Sequence, residues 1–448
     1  MSDFRRIADR IADDITSGRL RAGQRLPPQR QFARRHRIAP STAGRVYAEL
    51  VRRGLVVGEV GRGTFVRATP ETPPGRALVE ATGGTPPPVN LELNYPSAPG
   101  QSELLAQALA PLLRPDALAE ALRPAAATGT AAAREAAADL LAVPGWRPDP
   151  GRLLFTGNAR QSIAAALAAL VRPGGRVGVE ELTYPLVKEI AGRLGTRLVP
   201  LAADAEGVRP DAVADAHRAG PLSALYLQPA LHNPTTGVTS APRLRQLADL
   251  VGGLRIPVIE DRIWSFLRPE AVPLAAHAPA LTYVVDGLSK RVAPGLSAGF
   301  LVVPPERVGA VAHAVRSGGW SAGRFALEAA VRWAGDGTVA RLVAAKRADA
   351  EARQALVREV LDGFRVRTDP GAYFAWWELP PPWRADTFTA AAAAHGIAVT
   401  PGTAFTVDPH RTPDAVRLGL GSAPVERLGW ALRTLADVVR GSGPAAGG

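Results

Sequence analysis

Apolar residues at the amino end of the chain recur at helical spacing, and the spacing then changes to alternation. Ile7, Ile11 and Ile15 recur every four residues, which predicts a helix with one apolar face that ends at Gly18. The segment 55–66 instead alternates apolar side chains around glycines, which predicts two strands joined as a hairpin. The segment 1–66 is therefore expected to begin with a helix and to end with a hairpin.

Two more helices are predicted between these elements. The proline pair at 27–28 favours the start of a short helix, and a longer helix is predicted from about Pro40. Val46 and Leu50, together with Tyr47, are expected to face inward from that third helix. Three helices followed by a hairpin predict a helix-turn-helix with a wing.

The pattern changes again after position 100, because short β-branched runs there alternate with Ala- and Leu-rich stretches of helical length. Seven runs are predicted as strands, at residues 152–158, 176–182, 196–201, 224–229, 256–261, 281–287 and 298–304. This alternation predicts an α/β fold whose mostly parallel sheet carries helices on both faces. Ligands bind at the carboxyl ends of such strands, which directs attention to loops that hold Thr156–Ser162, Tyr184, Asn233, Asp261 and Lys290.

A segment rich in Pro, Gly and Thr separates the two patterns. Residues 68–96 have little periodicity, so they are expected to form a semi-extended tether, with the boundary of the second unit near Val89. We predict a DNA-binding domain at 1–68, a linker at 69–89 and a second domain at 90–440.

Positive charge is concentrated in the segment 1–70. Fifteen arginines and no lysines stand there against six acidic residues, so this segment carries nine of the chain's twelve net positive charges. Arginines gathered in this way are typical of a surface that binds the phosphates of nucleic acid. The alternative interpretation is a basic face that is merely solvated.

Composition excludes several classes of site. The chain has no cysteine, which excludes disulfides, thiolate metal sites and thiol catalysis, and no metal site is expected. No run of about 18 apolar residues and no signal peptide is found, so a cytoplasmic protein with no membrane partner is expected. Lysine chemistry has three candidates, Lys188, Lys290 and Lys346, of which Lys188 and Lys346 are predicted to lie at the surface.

Three motifs between positions 17 and 66 resemble the winged helix-turn-helix of the GntR family. They are SGRLRAGQRLPPQR, STAGRVYAEL and VGRGTFV. The resemblance implies that double-stranded DNA is the partner and that the contacts come from Arg30, Ser41, Thr42 and Arg45, with Gly63 and Thr64 at the wing. Ala39 and Pro40 stand where many relatives carry a polar cap and a basic residue, so no base preference is inferred.

The segment 90–439 resembles the fold type I aminotransferases that use pyridoxal phosphate. The motif DGLSKRVAPGLSAGF is the most specific, since its Ser289 and Lys290 match the position of the cofactor's Schiff-base lysine. The resemblance implies a smaller C-terminal subdomain and cofactor contacts from Ala159, Arg160, Tyr184, Asn233 and Asp261. It also implies that Arg417 binds a substrate or effector carboxylate.

The chain departs from this family at two places. Ser297 stands where relatives often carry an arginine for the cofactor phosphate, and Ile263 and Trp264 stand where a tyrosine is expected. Losing these donors is expected to weaken cofactor binding or alter its electronics, and Arg160 or Arg291 are the candidates to replace the missing charge.

The two resemblances together identify the MocR subgroup of GntR regulators. They imply a transcription regulator that forms a homodimer and senses pyridoxal phosphate, or an amine or amino acid that reacts with it. Two alternatives stay open: a working aminotransferase anchored to DNA, and a regulator whose cofactor-free domain serves only to dimerise.

Overall fold

The computed structural model describes residues 3–16, 19–20, 24–52, 55–59, 63–66 and 88–441. The amino-terminal unit consists of α1 (Asp3–Thr16), β1 (Arg25–Leu26), α2 (Gln29–His36), α3 (Pro40–Arg52), β2 (Val56–Glu59) and β3 (Gly63–Val66). These bounds confirm the three predicted helices and the hairpin. Gly18 and the hairpin turn at 60–62 lie outside the described residues.

A small apolar core holds the three helices and the hairpin together. Val46, Leu50 and Tyr47 of α3 are buried, as predicted. The Tyr47 ring meets Phe32 of α2 edge-on, with ring centroids 5.1 Å apart. Because Phe32 and its arginine neighbours share one short helix, burial of the ring turns the charged side chains of α2 outward.

The amino-terminal sheet has one strand more than the sequence indicated. No strand was predicted at Arg25 and Leu26, but they pair with Phe65 and Thr64 as an antiparallel strand. The strand order is β1-β3-β2, so β3 is central. Leu26 is 2% exposed, which shows that the pairing also buries an apolar side chain.

The larger unit is built on a seven-stranded sheet with the order β5-β13-β12-β11-β10-β6-β7. The strands are β5 (Leu153–Thr156), β6 (Arg176–Glu180), β7 (Arg197–Leu201), β10 (Ala224–Leu227), β11 (Val258–Asp261), β12 (Thr282–Gly287) and β13 (Gly299–Val302). All neighbours from β7 to β12 are parallel, and only β13 is antiparallel to its neighbours β12 and β5. The mostly parallel sheet that the sequence predicted is confirmed.

Helices cover the sheet because most of its strands are buried along their length and need apolar cover on both faces. The helices of this unit are α4 (Gln101–Leu109), α5 (Pro115–Ala121), α6 (Ala131–Leu141), α7 (Ala159–Leu170), α8 (Pro185–Arg193), α9 (Pro210–Ala219), α10 (Ala241–Leu254), α11 (Leu288–Arg291), α12 (Val308–Ser317), α13 (Arg324–Gly335) and α14 (Thr338–Val360). A short hairpin is formed by β8 (Ala203–Asp204) and β9 (Gly207–Val208). Among the described residues, no helix is both long and apolar enough to cross a membrane.

The smaller C-terminal subdomain has its own sheet, in the order β14-β15-β18-β17. Its elements are β14 (Arg365–Arg367), β15 (Phe374–Glu378), α15 (Ala385–Ala394), β16 (Ile397–Ala398), β17 (Thr400–Pro401), β18 (Ala415–Gly419) and α16 (Val425–Gly441). Trp377, Phe388 and Leu432 are fully buried in its core. This subdomain brings the carboxyl-terminal part of the chain back to the large sheet.

The tether prediction is wrong for its last part. Val89 and Asn90 form β4, which pairs in parallel with β16, and Leu91 is completely buried. The chain then continues along Gly419, whose N–H donates to the Leu91 carbonyl over 2.7 Å. The segment 88–96 therefore belongs to the folded larger unit, while 67–87 lies outside the described residues, so the proposed domain bounds stay a prediction.

The wing strand β3 lies against the smaller subdomain. The guanidinium carbon of Arg384 is 4.2 Å from the centre of the Phe65 ring, a cation–π contact. Arg384 also pairs with Asp386 at the start of α15. The amino-terminal unit and the larger unit thus meet in this arrangement of the chain.

Candidate functional site

A cleft of about 840 Å³, counted with the space that is open to solvent, lies at the carboxyl ends of the parallel strands. Its wall contains all eight residues that were predicted to contact cofactor or effector in the larger unit: Ala159, Arg160, Tyr184, Asn233, Asp261, Ser289, Lys290 and Arg417. These residues are far apart in the chain and are brought together by the sheet. Their roles stay predictions, since position in the cleft does not assign a role.

Lys290 lies on α11, the short helix that follows β12. Its Nζ donates to the Asn94 carbonyl over 2.6 Å and lies 4.4 Å from the Tyr95 ring centre and 4.9 Å from that of Trp264. Burial, together with the nearby charges of Arg417, Lys346 and Arg160, lowers the pKa of this amine to about 7. A neutral amine is the nucleophilic form, so Lys290 is prepared to attack an aldehyde near neutral pH.

Lys346 is not at the surface, and the prediction for it is wrong. Its side chain is completely buried on α14, where Nζ donates to the carbonyls of Lys290 and Val292 over 3.0 and 2.7 Å. Burial lowers its pKa to about 8. Nothing in the sequence signalled this burial, because α14 is rich in charged residues. Lys188 is half-buried and donates to the Thr406 carbonyl over 3.0 Å.

Asp261 ends β11 in a web of hydrogen bonds. Its Oδ2 accepts from the Tyr226 hydroxyl over 2.6 Å and from the Gln228 amide over 3.3 Å, and Oδ1 accepts from the Ile263 N–H. Burial raises the pKa of this carboxyl, and the hydrogen bond from Tyr226 opposes the rise. Tyr226 and Gln228 were missed in the sequence, although both lie at the end of the predicted strand β10.

A second buried carboxylate lies behind this web. Glu180 ends β6, and its Oε1 accepts from the Gln228 N–H over 2.7 Å, while Oε2 is buried without a partner among the described residues. Burial raises the pKa of Glu180 to about 7. Glu180 therefore supports the loop that carries Gln228 toward the cleft.

The amino end of α7 faces the cleft from the other side. Asn158 caps this helix by accepting from the Gln161 N–H, and the next residues, Ala159 and Arg160, line the cleft. The first N–H groups of a helix have no partner within it and favour an anion. Gly299 lets β13 lie close to the start of α7, since a Cβ at Gly299 would come within 2.5 Å of the Asn158 backbone.

Two arginines could replace the missing positive charge that would bind the cofactor phosphate, and they lie in different surroundings. Arg291 is buried in an ion pair with Asp286, with 2.5 Å between Nη2 and Oδ2, and it does not line the cleft. Arg160 is exposed and lines the cleft. Ser297 contributes a buried hydroxyl without a partner among the described residues. Of the two arginines only Arg160 lines the cleft, and its contact with a phosphate stays a prediction.

We predict that Arg160→Ala weakens binding of pyridoxal phosphate about ten- to a hundredfold, because one charge-assisted contact contributes about 1.5–3 kcal/mol. Arg172→Ala is the matched control, since Arg172 is an exposed arginine just beyond the other end of α7. Equilibrium titration followed by the cofactor's visible absorbance measures both affinities. Equal affinities for the two variants would contradict the assignment.

Asn233 and Tyr184 close the remaining sides. Oδ1 of Asn233 is buried without a hydrogen-bond partner among the described residues. Its neighbour His232 anchors the loop by bonding the Leu182 carbonyl and the Thr235 hydroxyl, and burial lowers the pKa of His232 to about 4, so it stays neutral. Burial raises the pKa of Tyr184, which keeps its hydroxyl protonated.

Arg417 projects from β18 into the cleft. It is 4% exposed, donates to the Glu92 carbonyl and the Thr400 hydroxyl, and its Nε has no partner among the described residues. Burial lowers its pKa to about 10. A buried guanidinium with an unused N–H is suited to bind a carboxylate through two hydrogen bonds.

These residues fit pyridoxal phosphate. Asn233 offers an unused polar group, Asp261 a buried carboxylate, Lys290 an amine of lowered pKa, and the start of α7 an anion cradle with Arg160. Ile263 and Trp264 line the cleft without the phenol hydroxyl expected there, so that neutral contact is missing.

The amino-terminal unit presents its predicted DNA contacts on two helices and one strand. On α3, Ser41 and Arg45 are exposed and Thr42 is half-buried. The Arg45 guanidinium carbon lies 4.2 Å from the Phe4 ring centre, which supports its long side chain. Arg30 is exposed on α2, and Gly63 and Thr64 begin β3 half-buried. Contact with DNA by these six residues stays a prediction.

Comparisons with known proteins agree with both units. Residues 89–429 match the family model described as aminotransferase class I and II, and residues 4–66 match the model described as bacterial regulatory proteins, gntR family. The pyridoxine biosynthesis transcriptional regulator PdxR of Corynebacterium glutamicum is 24% identical over 442 residues, which cover 97% of this chain and 95% of that protein. The vitamin B6 salvage pathway repressor PtsJ of Salmonella typhimurium is 27% identical over 302 residues, 65% of each chain.

Solved structures show the same fold for the larger unit. The α-aminoadipate aminotransferase LysN of Thermus thermophilus superposes with a TM-score of 0.72 at 23% identity, covering 83% of this chain and 95% of LysN. The chain therefore belongs to the aminotransferase class I and II family and, through its amino-terminal GntR unit, to the MocR subgroup of GntR-family transcription regulators.

Proposed function

We propose that this protein regulates transcription by coupling DNA binding to the occupancy of its cleft by pyridoxal phosphate and an amine or amino acid. The observation that carries the proposal is the presence, in one chain, of an arginine-rich winged unit and of a cleft whose buried lysine is prepared for an aldehyde. A ligand can change the affinity for DNA only if the protein has two conformations that differ in DNA binding and the ligand binds one of them more tightly than the other.

Each wall of the cleft would hold one part of the cofactor. Lys290 would hold its aldehyde carbon, Asp261 its ring nitrogen, Asn233 its phenolic oxygen and Arg160 its phosphate, while Tyr184 would cover the ring. When bound, the cofactor supplies an electrophilic carbon that reacts with amines. The chain's own contribution is to lower the pKa of Lys290, to keep Asp261 buried among hydrogen-bond donors and to place the Trp264 ring beside the amine.

DNA is proposed to meet the amino end of α3. Its exposed Ser41 and Arg45 stand where a helix inserted into the major groove places side chains on base edges and phosphates, and Arg30 on α2 adds a second positive charge. Gly63 and Thr64 are proposed to contact the flanking backbone from the wing.

We predict that Arg45→Ala weakens binding to duplex DNA selected by the full-length protein and lowers the slope of log affinity against log salt by about one. The loss follows from removing one phosphate contact and the counterion that it displaces. Arg433→Ala, at an exposed arginine on α16, is the control and is expected to change neither quantity. An unchanged slope for Arg45→Ala, measured by fluorescence anisotropy at several salt concentrations, would refute the assignment of α3.

A homodimer is proposed as the unit that binds DNA. Leu113 and Leu122, which flank α5, are 63% and 83% exposed in the single chain, and a second copy would cover them. Two copies would present two amino-terminal units to repeated half-sites. Light scattering should therefore give about twice the chain mass of 46.9 kDa, and a mass equal to one chain would exclude the dimer.

Aminotransferase activity is the second candidate, and the presence of Arg417 beside Lys290 in one cleft favours it. The two functions differ in a direct measurement. Conversion of an amino donor to its keto acid by purified protein would support catalysis, while ligand binding without conversion would support sensing.

A further inference from the structure

One residue with a carboxylate lines the cleft but has no role among the proposed cofactor contacts. Glu92 follows β4 and lines the cleft beside Arg417, Lys290 and Tyr95. Its backbone carbonyl accepts from Arg417, but its carboxylate makes no hydrogen bond or ion pair with any described residue. Glu92 is half-buried in the wall of the cleft.

The electrostatic setting of Glu92 is unfavourable without a ligand. Burial raises the pKa of its carboxyl, and the attraction of Arg417 only partly opposes the rise. Burying a carboxylate is costly unless a cation pairs with it. A cationic group that enters the cleft would restore this missing pairing.

The neighbours of Glu92 indicate which other groups the ligand would carry. Lys290 marks the place where an amine would react with the cofactor, and Arg417 has an unused Nε for a carboxylate. A residue of negative charge beside these two groups adds a third point of recognition. The three points together favour a ligand with more than one charged group.

We propose that Glu92 selects effectors that carry a second cationic group besides the reacting amine, that is, a basic amino acid or a diamine. This proposal rests on the proposed function, because it assumes that an amine enters the cleft as effector. Glu92 would pair with the distal cation, while an effector with a neutral distal end would leave the carboxylate unpaired. An effector with a distal carboxylate would meet repulsion at the same place.

Ligands that differ only in distal charge test this proposal. L-lysine, L-norleucine and L-2-aminoadipate have similar length and carry a cationic, a neutral and an anionic distal end, and cadaverine and pentylamine repeat the comparison without a carboxylate. Dissociation constants for protein loaded with pyridoxal phosphate come from the change in visible absorbance and from calorimetry. We expect L-lysine to bind about tenfold more tightly than L-norleucine and L-2-aminoadipate to bind most weakly, since a charge-assisted contact is involved.

Two variants test whether the ligand preference depends on Glu92 itself or on any negative charge of the protein. Glu92→Gln keeps the shape of the side chain and is expected to bring L-lysine and L-norleucine within about twofold of each other, because the charge-assisted contact is lost. Glu103→Gln, on the exposed first turn of α4, is expected to keep the preference. If the ligands bind without regard to distal charge, or if Glu92→Gln keeps the preference, the selection proposal falls alone. If no amine binds at all, the effector step of the proposed function falls with it.

Discussion

Replacing Lys290 by alanine should abolish covalent attachment of pyridoxal phosphate. Reduction with borohydride followed by mass measurement should show one phosphopyridoxyl group on the wild-type chain and none on Lys290→Ala. The reason is positional, because Lys290 is the lysine that lines the cleft, while Lys346 points its Nζ at two backbone carbonyls.

The pH dependence of attachment follows from the same lysine. With its pKa at about 7, roughly three quarters of the Lys290 amines are neutral at pH 7.5, against about one in a thousand for an ordinary lysine. The neutral fraction rises with pH, so the rate of attachment should rise from pH 6 to 8 and then level off. A rate that keeps rising tenfold per unit up to pH 10 would mean an unshifted amine.

Lys188→Ala is the matched control for this experiment. Lys188 is half-buried and its pKa is also lowered by burial, to about 8, but it does not line the cleft. The control should keep the full mass increase. Attachment that survives in Lys290→Ala and disappears in Lys188→Ala would overturn the assignment of the site.

Replacing Lys346 by methionine should destabilise the protein by about 2–4 kcal/mol, because two buried carbonyls lose their donor. Those carbonyls belong to Lys290 and Val292, at the end of the helix that carries the reactive amine. Loss of a nearby positive charge should also raise the pKa of Lys290, so the pH midpoint of cofactor attachment should move upward. Denaturant unfolding and the pH dependence of the attachment rate measure the two effects.

The same change at Lys188 distinguishes a specific effect from the loss of any partly buried lysine. Lys188→Met removes one hydrogen bond, to the Thr406 carbonyl, and should cost less stability and leave the pH midpoint where it is. Lys346→Arg keeps the charge and should keep the midpoint near that of the wild type. If Lys346→Met unfolds at the same denaturant concentration as the wild type, and the pH midpoint of cofactor attachment is also unchanged, Lys346 does not position α11.

Much of this arrangement could be predicted because it depends on short local patterns. The seven strands appear as apolar runs, and Asp261 and Lys290 stand at or just after the ends of two of them. Parallel strands bring such residues to one edge of the sheet whatever the length of the helices between them. For this reason the fold and the residues that line the cleft could be predicted from the sequence.

Features that depend on distant partners could not be predicted. Lys346 lies among charged residues of α14, where lysines usually face water, and its burial follows from the carbonyls of Lys290 and Val292, which lie far earlier in the chain. Arg25 and Leu26 form a strand only because β3 pairs with them. Glu92 stands in a segment with the composition of a linker, and this segment joins the fold through β16, near the other end of the chain.

Whether the cleft controls DNA binding is tested by the affinity of the full-length protein for its selected duplex, measured with and without saturating pyridoxal phosphate, alone and together with L-lysine. Coupling between sites in proteins usually changes affinity by about five- to 150-fold. We predict a change of at least about fivefold for the wild type and none for Lys290→Ala. Cofactor bound at Lys290 with no change in DNA affinity under any of these conditions would contradict the claim that the cleft controls the amino-terminal unit.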